Sequence, residues 1–250
     1  MSTKGVVIVT GASKGIGRQV CKHLLASNAG LIVVATARSE TLLAELQVQT
    51  DTERLIPIAG DIAQEATQQQ VIRTAQSLGH IRALVNNAAR VAPTGQLLKT
   101  EPSEWQAVWA TNFFAPLALI HGISKHTKEL RIVNVTSSTS QAPVRGFAAY
   151  GTTKAALNYL TQAIALEHPC VTAVALYPGV VDTQMNKDAL GAACAYGSKA
   201  MDVVVDKLKA PIQAVLPAAI IANLAMRADP ALSGKYYVYS DAAMAPYSTS

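Results

Sequence analysis

Short, continuously apolar runs alternate with longer stretches of helical period along nearly the whole chain. Residues 6–9, 31–35, 55–58, 81–85, 131–135, 171–176 and 235–239 are predicted strands. These runs are apolar on successive rather than alternate residues, the pattern of strands covered on both faces. Between them the apolar positions recur every three or four residues, as at Ile16, Val20 and Leu24, which share one helix face. Regular alternation of strand and helix predicts an α/β fold: a seven-stranded, mainly parallel, doubly wound sheet between two layers of helices. No internal repeat, low-complexity tract or Pro/Gly/Ser linker divides the chain, so residues 1–250 are read as one domain. The least regular part, residues 182–197, is read as a flexible flap over a substrate site.

Open parallel sheets bind ligands outside the carboxyl ends of their strands. The residues that follow the predicted strands are Gly11, Arg38, Asp61, Asn87, Ser137 and Pro178. All are glycine, proline or polar, and the topology carries all of them to one edge. The first of these turns, Thr10-Gly-Ala-Ser-Lys-Gly-Ile-Gly17, joins the first strand to the first helix. Gly11 suits a turn that other residues cannot make, while Gly15 and Gly17 let backbone approach a pyrophosphate and let helix pack on sheet. A helix N-terminus beside such a loop offers free N–H groups and partial positive charge to phosphate. The second strand ends Val34-Ala-Thr-Ala-Arg-Ser39, with no acid to hold a ribose 2′-hydroxyl. Arg38, with Lys14 as a second cation, suits a 2′-phosphate instead, so NADP(H) is the expected cofactor. The plainer reading of Arg38 is a solvated surface residue.

Tyr150-Gly-Thr-Thr-Lys154 opens a long helical pattern and sets Tyr150 and Lys154 on one helix face. A free tyrosine, with a pKa of about 10, is a poor acid or base at neutral pH. A neighbouring ammonium is expected to draw it toward the working range. Pro116, four residues after Asn112, has no N–H, so the carbonyl of Asn112 loses its intrahelical partner and is free to bind water. A simple helix kink is the alternative.

Composition narrows the classes. Half of the 250 residues are hydrophobic and 15% are charged, which excludes disorder. The net charge of +5 is scattered with no Lys/Arg run, and no nucleic-acid partner is expected. Cys21, Cys170 and Cys194 are odd in number, and neither they nor the five histidines stand in metal-ligand spacing, so neither a disulfide scaffold nor a metal is expected. Trp105 and Trp109 are read as packing residues. No run reaches the roughly 18 apolar residues of a membrane span. A soluble protein of the reducing cytoplasm is the expectation.

Gly11, Gly15 and Gly17, Asn86-Asn-Ala-Ala89, Asn112, Ser137, Tyr150 with Lys154, and Pro178-Gly179 stand in the order and spacing of the short-chain dehydrogenases/reductases, which the chain resembles from Gly5 to about Tyr239. The resemblance implies a Rossmann-type fold and a set of roles. Tyr150 would protonate a carbonyl oxygen as hydride arrives from the nicotinamide. Lys154 would lower the Tyr150 pKa and bond the nicotinamide ribose. Ser137 would polarise the carbonyl, with Ser138 as the alternative, and Asn112 would anchor a water in a proton relay. Ser13, Lys14 and Ile16 of the glycine loop would hold the cofactor with its glycines. Asp61 and Ile62 would meet adenine, although Asp61 also suits a strand-end cap. Asn87 and Ala88 would line the cofactor, with Ala89 where the family usually has glycine. Pro178, Gly179, Val181 and Thr183 would wall the nicotinamide.

Arg38-Ser-Glu40, Asn112-Phe-Phe114, the segment 149–158 and the segment 178–185 are similar to the branch holding sepiapterin reductase and microbial benzil reductases. That similarity implies reduction of a ketone or 1,2-diketone with an apolar or aromatic flank. Val144, Phe147 and Met185 are the expected substrate wall, with Ser137. The family also implies a homodimer or homotetramer paired through helices at about 103–126 and 150–167. Two other readings stay open: an NADP-dependent alcohol dehydrogenase acting oxidatively, and a non-catalytic NADPH-binding regulator.

Overall fold

The computed structural model describes residues 5–27, 29–50, 52–127, 129–194 and 211–248. Seven strands form one sheet: β1 (Gly5–Thr10), β2 (Ile32–Ala37), β3 (Leu55–Ala59), β4 (His80–Asn86), β5 (Leu130–Val135), β6 (Val171–Tyr177) and β7 (Tyr236–Val238). Their order is β3-β2-β1-β4-β5-β6-β7, and every pairing is parallel. The helices are α1 (Gly15–Ala26), α2 (Glu40–Thr50), α3 (Glu65–Leu78), α4 (Gln106–Trp109), α5 (Ala115–Ser124), α6 (Ala148–Glu167), α7 (Gln184–Cys194) and α8 (Val215–Arg227).

Continuous apolar strands are explained by two cores. Along β1, Val7 and Val9 enter one cluster with Val20 and Leu24 of α1 and Ile221 and Leu224 of α8. Val6 and Ile8 enter the other, with Val71 of α3, Leu119 and Ile123 of α5 and Ile164 of α6. Successive side chains point to opposite faces of a strand. Covering both faces therefore requires an apolar residue at every position, and all six β1 residues are buried.

Sheet order reverses between β1 and β4, which run side by side while their connections leave in opposite directions. The loops after these two strands part there and open the crevice in which ligands of such sheets sit. Two expectations differ from the fold. Residues 184–194 form helix α7, not irregular chain, while residues 195–197 of the expected flap lie outside the described residues. Pro102–Ser124 is a helical run of 23 residues with mean hydropathy 1.2 over its best window, long and apolar enough by length and composition to cross a membrane. It lies where a helix was expected, at about 103–126; only its overall apolarity was not anticipated, because polar residues interrupt the apolar ones, and 44% of that window is buried inside the protein.

Candidate active site

A cavity of about 570 Å³ lies along the carboxyl edge of the sheet. Gly11, Arg38, Asp61, Asn87, Ser137 and Pro178, the six strand-following residues, all line it.

The glycine loop forms one end. Gly11 and Gly15 have φ of +67° and +56°, values that favour glycine. Gly17 does not reach the cavity; a Cβ there would overlap the Gly11 carbonyl and stand 2.5 Å from Asn87 Nδ2, so it lets α1 close on the loop. Thr10 and Asn87 tie the β1 and β4 loops together. The backbone N–H groups of Asn87 and Ala88 each donate to Thr10 Oγ1 at 3.0 Å. Asn87 Nδ2 donates to the carbonyls of Thr10 and Gly11 at 2.9 and 3.2 Å. Helix α1 has no side-chain cap and no acid in its first turn, so its opening N–H groups are offered to the cavity. Ser13, Lys14 and Ile16 line the same end, and Lys14 and Arg38 are both exposed.

Thr36 Oγ1, in the cavity wall, is buried without a hydrogen-bond partner. Orphaned buried hydroxyls are rare and point to a missing polar ligand. With the glycine cradle and the uncapped helix start, it fits a dinucleotide. Asp61 Oδ1 accepts from the Ala63 N–H at 3.0 Å, the strand-end cap anticipated as its alternative role, while Asp61 still lines the cavity. Ile62 lines it too and is 6% exposed.

At the other end, α6 presents Tyr150 and Lys154 one turn apart. Tyr150 shares this end of the cavity with Ser137, whose hydroxyl acts to lower the phenol's pKa. Ser137 Oγ is held by the Thr139 N–H at 3.2 Å and hydroxyl at 3.0 Å. Lys154 is 2% exposed; its Nζ donates to the Val135 carbonyl at 2.7 Å and lies 5.7 Å from the Tyr150 ring centroid. Burial pulls the ammonium down to about 8. Burial also pushes the Tyr150 phenol up to about 12, against the lowering effect of Ser137 and with help from Tyr177. The expected depression of the phenol by its lysine is not seen; burial raises the phenol and lowers the ammonium, because desolvation penalises both charged forms.

Asn112 lies behind the cavity, fully buried, in a π-turn (Ala110–Phe114) between α4 and α5. The Ala115 N–H bonds back to Ala110, and Pro116 follows with no N–H to give. The Asn112 amide clamps Arg90, accepting from its N–H at 2.8 Å and donating to its carbonyl at 2.9 Å. It also donates to Thr153 Oγ1 at 3.1 Å, and that hydroxyl donates to the Tyr150 carbonyl at 2.7 Å. A second buried chain had no sequence signal beyond an asparagine in a strand. Asn86 Nδ2 donates to Asn134 Oδ1 at 2.8 Å, and Asn134 Nδ2 to Thr161 Oγ1 at 2.9 Å, locking β4, β5 and α6.

The expected substrate residues Val144, Phe147 and Met185 line the cavity beside Ser137. Phe147 and Ala189 form a small apolar cluster with Val91 and Val144. Arg90, Val91, Tyr177 and Ala189 are wall residues that sequence reasoning missed. Gly179, with φ of +80°, passes under the Tyr239 ring. Val181 is bridged to Ile212, and Thr183 accepts the Asn186 N–H at 3.3 Å where α7 begins.

The family described as short chain dehydrogenase matches residues 5–192. A benzil reductase ((S)-benzoin forming) of Saccharomyces cerevisiae is 31% identical over 96% of this chain and 98% of its own. Sepiapterin reductase of Meriones unguiculatus is 30% identical over 72% of this chain and 76% of its own. The crystal structure of a short chain dehydrogenase/reductase from Saccharomyces cerevisiae, 27% identical, superposes with a TM-score of 0.91 over 98% of this chain and 100% of that one. With the parallel sheet, the glycine loop and the Ser137–Tyr150–Lys154 cluster on one cavity, the chain belongs to the short-chain dehydrogenase/reductase family of oxidoreductases.

Proposed function

We propose that this protein is an NADPH-dependent carbonyl reductase acting on a ketone or 1,2-diketone with an apolar or aromatic flank, and that Tyr150 is the proton donor. The observation that carries the reading is that Ser137, Tyr150 and the buried Lys154, its Nζ 5.7 Å from the Tyr150 ring centroid, line the cavity that also holds the glycine loop. NADP(H) is favoured by Arg38 and Lys14 and by the absence of any acid at the end of β2. Gly11, Gly15 and the start of α1 would cradle its pyrophosphate, and Pro178, Gly179, Val181 and Thr183 would wall its nicotinamide. When bound, this cofactor supplies the hydride.

The chain's own groups do the rest. Ser137 holds and polarises the carbonyl oxygen. Tyr150, raised to about 12, keeps its proton at neutral pH and delivers it as the oxygen becomes an alkoxide. Lys154 is the cation beneath the phenolate that remains. The Asn112 side chain is committed to Arg90 and Thr153, so its relay role falls to its main-chain carbonyl in the π-turn. Val91, Val144, Phe147 and Ala189 offer the apolar wall that a benzil-like flank needs. The raised phenol favours reduction over alcohol oxidation, which needs phenolate.

The reading includes a homo-oligomer paired through α5 and α6, and a reducing, cytoplasmic setting that suits the free Cys21 and Cys170. Its test is NADPH consumption with 1,2-diketones and aryl ketones, beside Tyr150→Phe. We expect turnover in the native enzyme and a loss of about 1,000-fold or more in the variant with NADPH still bound, within the range of removing a general acid. Tight NADPH binding with no turnover on any carbonyl would replace the reductase with a binding protein.

A further inference from the structure

Resting on that reading, we infer that Arg90 recognises a carboxylate, so that the preferred substrate is a 2-oxo acid with an aryl or apolar tail. The charges along the cavity lead there. Lys14, Arg38, Asp61, Arg90, Lys154, Asp182 and Lys187 are its charged wall residues. Asp182 is paired with Lys187 at 3.0 Å. Asp61 belongs to the β3 end of the cavity and caps its own turn. Lys14 and Arg38 serve the glycine-loop end. At the catalytic end that leaves Lys154, already committed to Val135, and Arg90.

Arg90 has a backbone gripped on both sides by Asn112 but no carboxylate within ion-pair distance among the described residues. Among the described residues its guanidinium donates no hydrogen bond, although the group carries five donors and keeps its charge at any working pH. Its segment is fixed against the substrate wall. Asn112 joins Arg90 to Thr153 and through it to Tyr150, while the Gly95 N–H donates to the Gly146 carbonyl at 3.0 Å. The next residue, Val91, packs into the cluster with Val144, Phe147 and Ala189. A half-buried cation with no partner among the described residues therefore lines the same cavity as this apolar wall and the phenol of Tyr150. An anion with an apolar tail complements both, and a guanidinium binds carboxylate through two parallel hydrogen bonds.

A 2-oxo acid keeps the vicinal pair of carbonyl carbons of a 1,2-diketone and turns the second into the charged group. In its reduction the 2-oxo carbon forms a C–H bond with hydride from reduced nicotinamide, which is thereby oxidised. The carbonyl π pair becomes an O–H bond with the proton of Tyr150, and the carboxylate leaves unchanged in a 2-hydroxy acid.

Phenylglyoxylate and 1-phenyl-1,2-propanedione form a matched pair, alike but for carboxylate in place of acetyl. The readout is the ratio of their kcat/KM values in the native enzyme, Arg90→Met and Arg90→Lys. We expect the native enzyme to prefer the acid, Arg90→Met to lower the ratio about 30-fold or more, mainly through KM for the acid, and Arg90→Lys to restore part of it. That size is what losing a charged hydrogen bond costs. An unchanged ratio in Arg90→Met overturns the inference. So does a native enzyme that reduces the diketone and ignores the acid, which leaves the carbonyl-reductase reading standing; failure on both substrates removes that reading as well. If Arg90→Met does not fold, inhibition of diketone reduction by benzoate and benzamide decides in the native enzyme. Benzoate should be at least tenfold stronger and compete with the diketone. Equal potency, or competition with NADPH instead, overturns the inference.

Discussion

In the proposed mechanism Lys154 is the cation on which Tyr150 relies, and its burial sets the pH at which that charge disappears. Its ordinary value of 10.5 is pulled down to about 8 by desolvation. Above that pH the folded protein holds a neutral amine while the unfolded chain still binds the proton. Two consequences follow with opposite sign. Reduction should fall about tenfold per pH unit above pH 8 as the ammonium is lost. The Lys154 share of stability should rise from pH 8 toward 10.5, since at that group the unfolded state binds more protons. The buried Cys21 thiol, pushed up from 9.0 to about 12, opposes it above pH 9, so the share is read as the difference between native and Lys154→Met melting curves. A kcat/KM profile and a melting series over that range test both, and Lys154→Met should lose the alkaline limb near pH 8. A limb that persists in the variant belongs to another group. At the opposite end of the cavity Arg38 is exposed, and in the proposed reading it meets the cofactor's 2′-phosphate. Arg38→Ala should raise KM for NADPH about 10- to 100-fold and barely alter KM for NADH, because one charged contact to phosphate is removed. An equal effect on both cofactors would mean that Arg38 holds the adenosine half in general.

At the scale of elements, the site depends on how closely the first helix approaches the first loop. Gly17 is in contact with the Gly11 carbonyl and Asn87, which tie β1 to β4. A methyl group there must push α1 away from the sheet edge. Gly17→Ala should cost about 1–3 kcal/mol, the usual cost of overpacking, and weaken cofactor binding with it. Thermal melting and NADPH titration would show the two together; an unchanged Tm would mean that α1 shifts freely. Much of this architecture was legible in the sequence because every position of the inner strands must be apolar, and the six strand-following residues did reach one cavity. The glycine loop and the Tyr150–Lys154 pair were legible because each is local, within one turn or one helix. What was missed is non-local. Helix α7 is not marked by strong apolar periodicity and was read as irregular chain. The wall formed by Arg90 and Val91 depends on the Gly95–Gly146 bond and the grip of Asn112, contacts between segments far apart in the chain. The direction of the Tyr150 shift depends on burial, which no motif encodes.

Across the whole molecule, apolar side chains face outward from both helical layers, among them Val48 of α2 and Val215 of α8, and the layer of α5 and α6 carries aromatic ones. On α6, Tyr159 is 74% and Leu166 85% exposed; just before and within α5, Phe114 is 56% and Leu117 38% exposed. Both helices cover the same face of the sheet, so these side chains belong to one side of the molecule. Phe113 meets Trp109 and Phe114 edge to face at 5.6 and 5.4 Å, Trp109 and Phe114 lie tilted at 6.2 Å, and the three rings stiffen the π-turn that carries Asn112. A second copy laid on this layer would cover the apolar residues and brace the turn behind the active site, which links assembly to catalysis. Large apolar side chains exposed on one face suit an association site. Pairing about a twofold axis brings the same helices of the two copies together, so a charge on this face would oppose its own image. Leu117→Glu combined with Leu166→Glu should therefore convert a dimer or tetramer to monomer in light scattering, and lower kcat with little change in NADPH affinity because only the brace is lost. A native protein that scatters as a monomer at every concentration would remove the interface, and a monomeric variant with full kcat would separate assembly from the chemistry.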